Sequence, residues 1–227
     1  MVIVFDLDDT LYPELTYVHS GYHAVADYLA PILHLPSSVI VEALKHEETQ
    51  DRSHVFNRYL ASQGQNTQRL IKQCVRVYRG HDPILSLFTE AEDCLNRLQH
   101  NPLYVVTDGN QLVQRRKAIA LGLNQWVKQC FFTYAHGLHR QKPSPYCFEK
   151  ICRLEKIKPS SLVYIADNPY KDFVGLKPLG FQTIRVLTGP YRYVRVSPDY
   201  EAHRQVQTLQ EIDQEFLKSL EMFKNDH

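Results

Sequence analysis

A chain of 227 residues with 44% hydrophobic and 22% charged residues is long enough to bury a full core without disulfide or metal staples, which excludes the small cross-linked domains. A formal net charge of +1 gives no general attraction to nucleic acid or to an anionic membrane, so neither is expected as a partner. The five cysteines, Cys74, Cys94, Cys130, Cys147 and Cys152, are scattered and form no CxxC pair, which argues against a disulfide framework or a zinc site and for a reducing, cytoplasmic setting.

The N-terminus runs from apolar to acidic within a few residues, with no basic leader region, and no later run is apolar for long enough to cross a bilayer. Val2-Ile3-Val4-Phe5 reads as a buried strand, and Asp6-Leu7-Asp8-Asp9-Thr10 begins where that strand must end. From about Pro13 to Leu87 the pattern is helical, with no convincing strand. Pro31, Pro36 and the Gly64-Gln65-Asn66 stretch divide it into four helices. An all-helical block inserted behind the acidic strand is expected to form a second domain, residues 13–87, lying over the acids as a cap, with residues 1–12 and 88–227 as the core.

From Thr89 onward, strands and helices alternate. Four apolar runs, Leu103 to Val106, Phe131 to Thr133, Leu162 to Ala166 and Thr183 to Leu187, read as further strands. Helices are expected at Gln111 to Leu121, stopped by Gly122; at Ser144 to Leu154; and at Tyr170 to Leu179, stopped by Gly180. A last amphipathic helix is expected from Gln205 to Phe223. The alternation gives an α/β class with a Rossmann-like, mostly parallel sheet flanked by helices.

In such sheets ligands collect beyond the carboxyl ends of the strands, and the polar residues fall there. Thr107-Asp108-Gly109-Asn110 follows one strand and offers a hydroxyl and backbone N–H groups to an anion. Lys142 sits in a loop before a helix. Asp167 and Asp172 follow another strand. Crowded carboxylates need a cation, a proton or both: two unit charges about 4 Å apart repel by roughly 4 kcal/mol at an effective dielectric of 20. A magnesium ion, usually held by one or two carboxylates with phosphate and water, would neutralise acids and phosphate together. Asp6 could then attack phosphorus, while Asp8 protonates the leaving alkoxide and later activates water. That division needs Asp6 ionised beside the metal and Lys142, and Asp8 protonated by its distance from them.

Asp6-Leu7-Asp8-Asp9-Thr10 resembles the first motif of the haloacid dehalogenase superfamily, Asp-x-Asp-x-Thr after a hydrophobic strand. Thr107 is similar to the residue ending its second motif, Lys142 to the lysine of the third, and Asp167 with Asp172 to the spaced acids of the fourth. The resemblance covers nearly the whole chain and implies a phosphatase of that superfamily with a small α-helical cap. It implies Asp6 as nucleophile and Asp8 as general acid/base. Magnesium would be held by Asp6, by Asp8 through its backbone carbonyl, and by Asp167. Thr107, Asp108, Gly109 and Lys142 would bind the phosphoryl group, Lys142 being catalytic as well, with Thr10 and Asp172 in support. Ala166 stands where many relatives have glycine before the first acid of the fourth motif.

The expected substrate is a small phosphorylated metabolite, a sugar phosphate or a nucleoside monophosphate, enclosed beneath the cap. A phosphomutase uses the same intermediate and is the nearest alternative. A non-catalytic binding protein with this fold is a second. A dehalogenase would leave Asp8 and the acidic fourth motif without a task, and a receiver domain would carry its phosphorylated acid on a later strand. Asp9 is read as a loop-shaping residue. Arg69, Lys72, Arg76 and Arg79 share a helix stripe opposite Leu70, Ile71, Cys74, Val75 and Tyr78, and read as a solvated face rather than an anion-attracting one. Tyr17, His19, Tyr22 and His23 fit packing at the cap base or a substrate contact equally. His136 and His139 lack metal-ligand company, and Tyr191, Tyr193 and Tyr200 read as packing under a long loop. Oligomeric state is left open by the sequence.

Overall fold

The computed structural model describes residues 1–222. The first strand, β1 (Val2–Phe5), takes the centre of a six-stranded sheet with β2 (Leu103–Thr107), β3 (Gln129–Phe132), β4 (Leu162–Ala166), β5 (Gln182–Val186) and β6 (Arg204–Val206). The order is β3-β2-β1-β4-β5-β6, and every pairing is parallel. The chain builds outward from β1 to β2 and β3, then returns to the other side of β1 for β4, β5 and β6. This reversal leaves a crevice at the carboxyl ends of β1 and its neighbours, the usual ligand site of an open α/β sheet.

The uniformly apolar strands follow from burial on both faces. Val2, Val4, Tyr104, Val106, Leu162, Tyr164 and Ala166 form one core layer with Cys147, Phe148, Ile151 and Cys152. Those last four lie on one face of helix α7 (Tyr146–Glu155); α5 (Thr89–Leu98) precedes β2. Residues of opposite parity, Ile3, Phe5, Val105, Val163 and Ile165, are equally inaccessible. Truncating a fully buried aromatic such as Phe148 to alanine would cost about 3–5 kcal/mol.

Two compact units make up the chain: residues 1–14 with 86 onward, and Leu15–Leu85. The second unit consists of α1 (Glu14–Leu33, whose first residue belongs to the first unit), α2 (Ser37–Gln50), α3 (Val55–Ser62) and α4 (Gln68–Gly80). Its own core includes Val25, Leu29, Ile40, Leu44, Leu60, Ile71 and Cys74. Pro36 stands in extended conformation just before α2, and the Thr67 hydroxyl caps α4 by accepting from Leu70 N–H at 3.2 Å. Arg69, Lys72, Arg76 and Arg79 are all exposed on α4. Tyr17 and Tyr22 are buried in ring contacts with Tyr78, and His19 pairs with Glu48 at 3.1 Å. His23 is exposed.

Three expectations are corrected in the first unit. The segment Tyr170 to Leu179 is a chain of turns closing in a 3-10 turn at Lys177–Leu179. Asp172 captures the Asn168 N–H at 3.0 Å, and Pro178 lacks the N–H donor a helix interior needs. The helix expected from Gln205 to Phe223 is instead β6, a 3-10 turn at Leu209–Glu211 and α8 (Gln214–Met222); Phe223 lies outside the described residues. Tyr193 and Tyr200 do not pack under the loop after β5, being 85% and 41% exposed; Tyr191 stacks edge-on against Tyr170, and the Tyr193 ring meets only the Arg192 guanidinium among the described contacts. That loop is held by buried Arg185, which donates to Glu201 at 2.7 Å and to the carbonyls of Tyr191 and Val194.

All five cysteines are free thiols. Among the described residues no helix is long and apolar enough to cross a membrane.

Candidate active site

Three adjacent strands deliver the site. Asp6 follows β1 and its N–H donates to the Ile165 carbonyl of β4 at 2.9 Å, so the strand register itself places it between the ends of β2 and β4. Thr107 is the last residue of β2 and Asp167 the first after β4. Beyond Asp6 the chain closes a tight turn in which Leu11 N–H donates to the Leu7 carbonyl at 3.0 Å. Asp9 takes a left-handed conformation there, φ 55°. Its carboxylate accepts from Glu14 N–H at 3.0 Å and its carbonyl from the Thr188 hydroxyl, so Asp9 shapes the loop as expected.

Lys142 is buried, with its Nζ 2.8 Å from Asp6 Oδ1 and 2.8 Å from Asp172 Oδ1. It also donates to the Tyr164 hydroxyl at 3.0 Å, which in turn donates to Asp172 Oδ1 at 3.1 Å. The second oxygen of Asp172 accepts from Asn168 N–H. Burial disfavours the ammonium, but Asp172 and Asp6 outweigh it and hold the lysine well above its ordinary value. Asp172 is therefore the anchor of Lys142 as much as a support for any metal.

The backbone of Lys142 is fixed by Asp108, whose Oδ1 accepts from Lys142 N–H at 3.1 Å and from the Thr133 hydroxyl at 2.6 Å. Lys171 Nζ lies 3.6 Å from its other oxygen. The Asp108 carboxylate is thus a brace for the lysine loop, and any contact it makes to an anion must come from its backbone. Gly109, at φ +118°, occupies a conformation that favours glycine. Asn110 caps α6 (Gln111–Ala120) by accepting from Leu112 and Val113 N–H, which leaves the Thr107 hydroxyl free of a capping role.

Asp6, Asp167 and Asp172 each bring a carboxylate oxygen within 4.8 Å of the others, all three being buried. Thr10 donates to Asp167 at 3.3 Å. Burial together with Asp6, Asp172 and Asp9 pushes the Asp167 carboxyl well above its ordinary range. Asp6 is also pushed up, to about 6, mainly by burial, against the pull of Lys142. Three clustered acids with one ammonium in their midst are an incompletely compensated charge, and an all-oxygen donor set of this kind suits a hard divalent cation.

The protonation pattern expected for Asp8 is reversed. Its carboxylate is turned to α6, where Oδ1 accepts from Lys117 Nζ at 2.6 Å and from the Tyr12 hydroxyl at 2.5 Å, and Oδ2 accepts from Gln114 Nε2 at 2.8 Å. Burial would raise its pKa, but Lys117 and the three hydrogen bonds overcome it, and the group is held below its ordinary value. Of the two aspartates it is Asp8 that stands ionised and Asp6 that resists ionisation in the chain alone. Lys117, Gln114, Tyr12 and Tyr164 escaped the sequence reading. Gln114 and Lys117 stand three apart on a helix, beside buried Val113 and Ala118, and two polar residues on an inward stripe were a usable signal.

The family model of haloacid dehalogenase-like hydrolases matches residues 1–180. The chain belongs to this family. It is 26% identical over 220 residues to a glyceraldehyde 3-phosphate phosphatase of Methanopyrus kandleri, covering 89% of this chain and 92% of that one. A protein of the same name from Methanocaldococcus jannaschii is 24% identical, over 84% and 86% of the two chains. Among solved structures, the putative HAD-hydrolase YfnB from Bacillus subtilis, bound to magnesium, superposes with a TM-score of 0.66 at 19% identity, over 96% of this chain and 97% of that one. A 2-haloacid dehalogenase from Pseudomonas syringae gives 0.64 at 22% identity, over 99% and 100%. These likenesses extend the family's fold beyond residue 180 to nearly the whole length of the chain.

Proposed function

We propose that this protein is a magnesium-dependent phosphatase of a small phosphorylated metabolite, a sugar phosphate in the first instance, working through an aspartyl phosphate on Asp6. The observation that carries the reading is the separation of the two aspartates of β1. Asp6 lies among Lys142, Asp167 and Asp172, while the carboxylate of Asp8, two residues on, is held apart by Gln114 and Lys117 of α6. Dehalogenation has no use for the second carboxylate, because halide leaves unprotonated; phosphate ester cleavage needs it. The relatives named glyceraldehyde 3-phosphate phosphatase favour a sugar phosphate over a nucleotide.

Asp6 and Asp167 would hold the metal with the Asp8 carbonyl, and the bound ion would neutralise the acids and the transferring phosphoryl oxygens. Lys142 and the Thr107 hydroxyl would bind the phosphoryl group. An Asp6 oxygen attacks phosphorus as the ester P–O bond breaks, and the leaving alkoxide takes a proton through Asp8, whose carboxylate, ionised in the chain alone, has first accepted that proton from the monoanionic ester. Water then attacks the aspartyl phosphate, gives its proton to the Asp8 carboxylate, and releases inorganic phosphate with Asp6 restored. The three donors around Asp8 fit its second duty, as base. A panel of sugar phosphates including glyceraldehyde 3-phosphate, assayed for phosphate with magnesium or with chelator, tests the reading. Release from at least one, lost with chelator and in Asp6→Asn, is expected. No release from any ester, or full activity in Asp6→Asn, would refute it.

A further inference from the structure

The ammonium of Lys117 sits in a place where an apolar residue would serve α6 better. The residue is 3% exposed, its neighbours Val113 and Ala118 are buried, and desolvating an ammonium costs several kcal/mol unless the geometry of its pairing is excellent. Here it is: Nζ lies 2.6 Å from Asp8 Oδ1 and 5.9 Å from the centre of the Tyr12 ring. One helical turn earlier, Gln114 Nε2 donates both to Asp8 Oδ2 at 2.8 Å and to Thr107 Oγ1 at 2.6 Å. Donors on both oxygens fix the plane of the Asp8 carboxylate as well as its position. The shared amide ties that plane to the hydroxyl at the end of β2.

We propose that Lys117, with Gln114, is a positioning residue: from α6 it clamps the Asp8 carboxylate in a fixed orientation relative to Thr107, so that the proton passing between Asp8 and the leaving oxygen travels along one set line. The inference rests on the phosphatase reading above and adds a role for a helix that none of the four motifs includes. A catalytic carboxylate has to be held within about 0.5 Å and 10–20° of its working geometry. A backbone turn alone does not restrain an aspartate's terminal torsion, which is broad.

The test compares two esters in the magnesium-loaded enzyme: an alkyl phosphate, whose leaving group needs a proton, and 4-nitrophenyl phosphate, whose leaving group does not. The ratio kcat/KM reports the steps up to transfer onto Asp6, where the acid acts. In Lys117→Met it is expected to fall about 100-fold for the alkyl ester, the scale of general acid catalysis, and less than about 5-fold for the aryl ester. Lys117→Arg should recover part of the loss. The double variant Asp8→Asn/Lys117→Met, which removes the buried charge together with its partner, should be no slower than Asp8→Asn alone. Equal losses on both esters, or additive losses in the double variant, would overturn the clamp while leaving the phosphatase reading intact. Wild-type enzyme that releases no phosphate from either ester would instead overturn the reading on which the clamp rests. If Lys117→Met does not fold, the double variant and Lys117→Arg carry the comparison.

Discussion

Replacing Lys142 by methionine removes the one ammonium within hydrogen-bond distance of both Asp6 and Asp172 among the described residues. At 2.8 Å each contact carries a raw attraction of about 6 kcal/mol at an effective dielectric of 20. Most of this offsets the desolvation of three buried charges. What the substitution exposes is the remainder: Asp6, Asp167 and Asp172 crowded within 4.8 Å, with Lys171 left as the cation acting on Asp6 and Asp172. Breaking a buried ion pair by deleting one partner costs about 3–5 kcal/mol. With about 2–4 °C lost per kcal/mol in a domain of this size, the melting temperature should drop by about 6–20 °C. Circular dichroism melts at neutral pH in chelator read this directly. Asp6→Asn/Lys142→Met should regain part of the loss, because one of the stranded carboxylates is gone. A melting temperature for Lys142→Met within about 2 °C of wild type would refute the view that this lysine compensates the acids.

Two further outcomes follow from neighbouring contacts. Asp6 has its pKa raised from 3.8 to about 6, so the folded chain binds its proton more tightly than the unfolded one. Its contribution therefore falls as pH rises from about 4 to about 6, by about 3 kcal/mol at full ionisation. Asp8, held below its ordinary value, acts in the opposite sense, stabilising above about 4 and losing that effect as pH falls through its folded value. In chelator, the stability of Asp6→Asn relative to wild type should climb between pH 4 and 6, and a flat difference would contradict this. A Cβ added to Gly175 would stand 1.8 Å from the Pro143 carbonyl oxygen, a backbone atom next to Lys142. Gly175→Ala should cost about 1–3 kcal/mol in urea denaturation and depress phosphate release by displacing Lys142; unchanged stability and activity would show that the loop gives way freely.

How legible these features were depended on how local their causes are. β1 and the acids behind it could be read directly, because a strand buried on both faces writes itself as an unbroken apolar run. The ends of β2 and β4 followed for the same reason. β6 was missed because only Val206 of its three residues is buried, too short a signal against the helical periodicity around it. The turns of residues 170–179 were missed because the Asp172 side chain, read as part of a helix's first turn, bonds the Asn168 backbone instead. The state of Asp8 was the least legible. Its distance from Lys142 was a fair reason to expect it neutral, but Lys117 lies 109 positions away in sequence and only the fold brings the two together. Buried electrostatics is a property of packing.

The most direct measurement is chemical trapping of the covalent intermediate. Enzyme turning over a phosphate ester with magnesium is quenched with acid, treated with borohydride and digested, and the peptide containing residues 1–10 is sequenced by mass spectrometry. An aspartyl phosphate is reduced to homoserine where a free carboxylate is not. Homoserine at position 6, with Asp8 unchanged, is the expected result. Active turnover with Asp6 unmodified, or homoserine at Asp8 or Asp167, would contradict the assignment of Asp6 as the group that takes the phosphoryl.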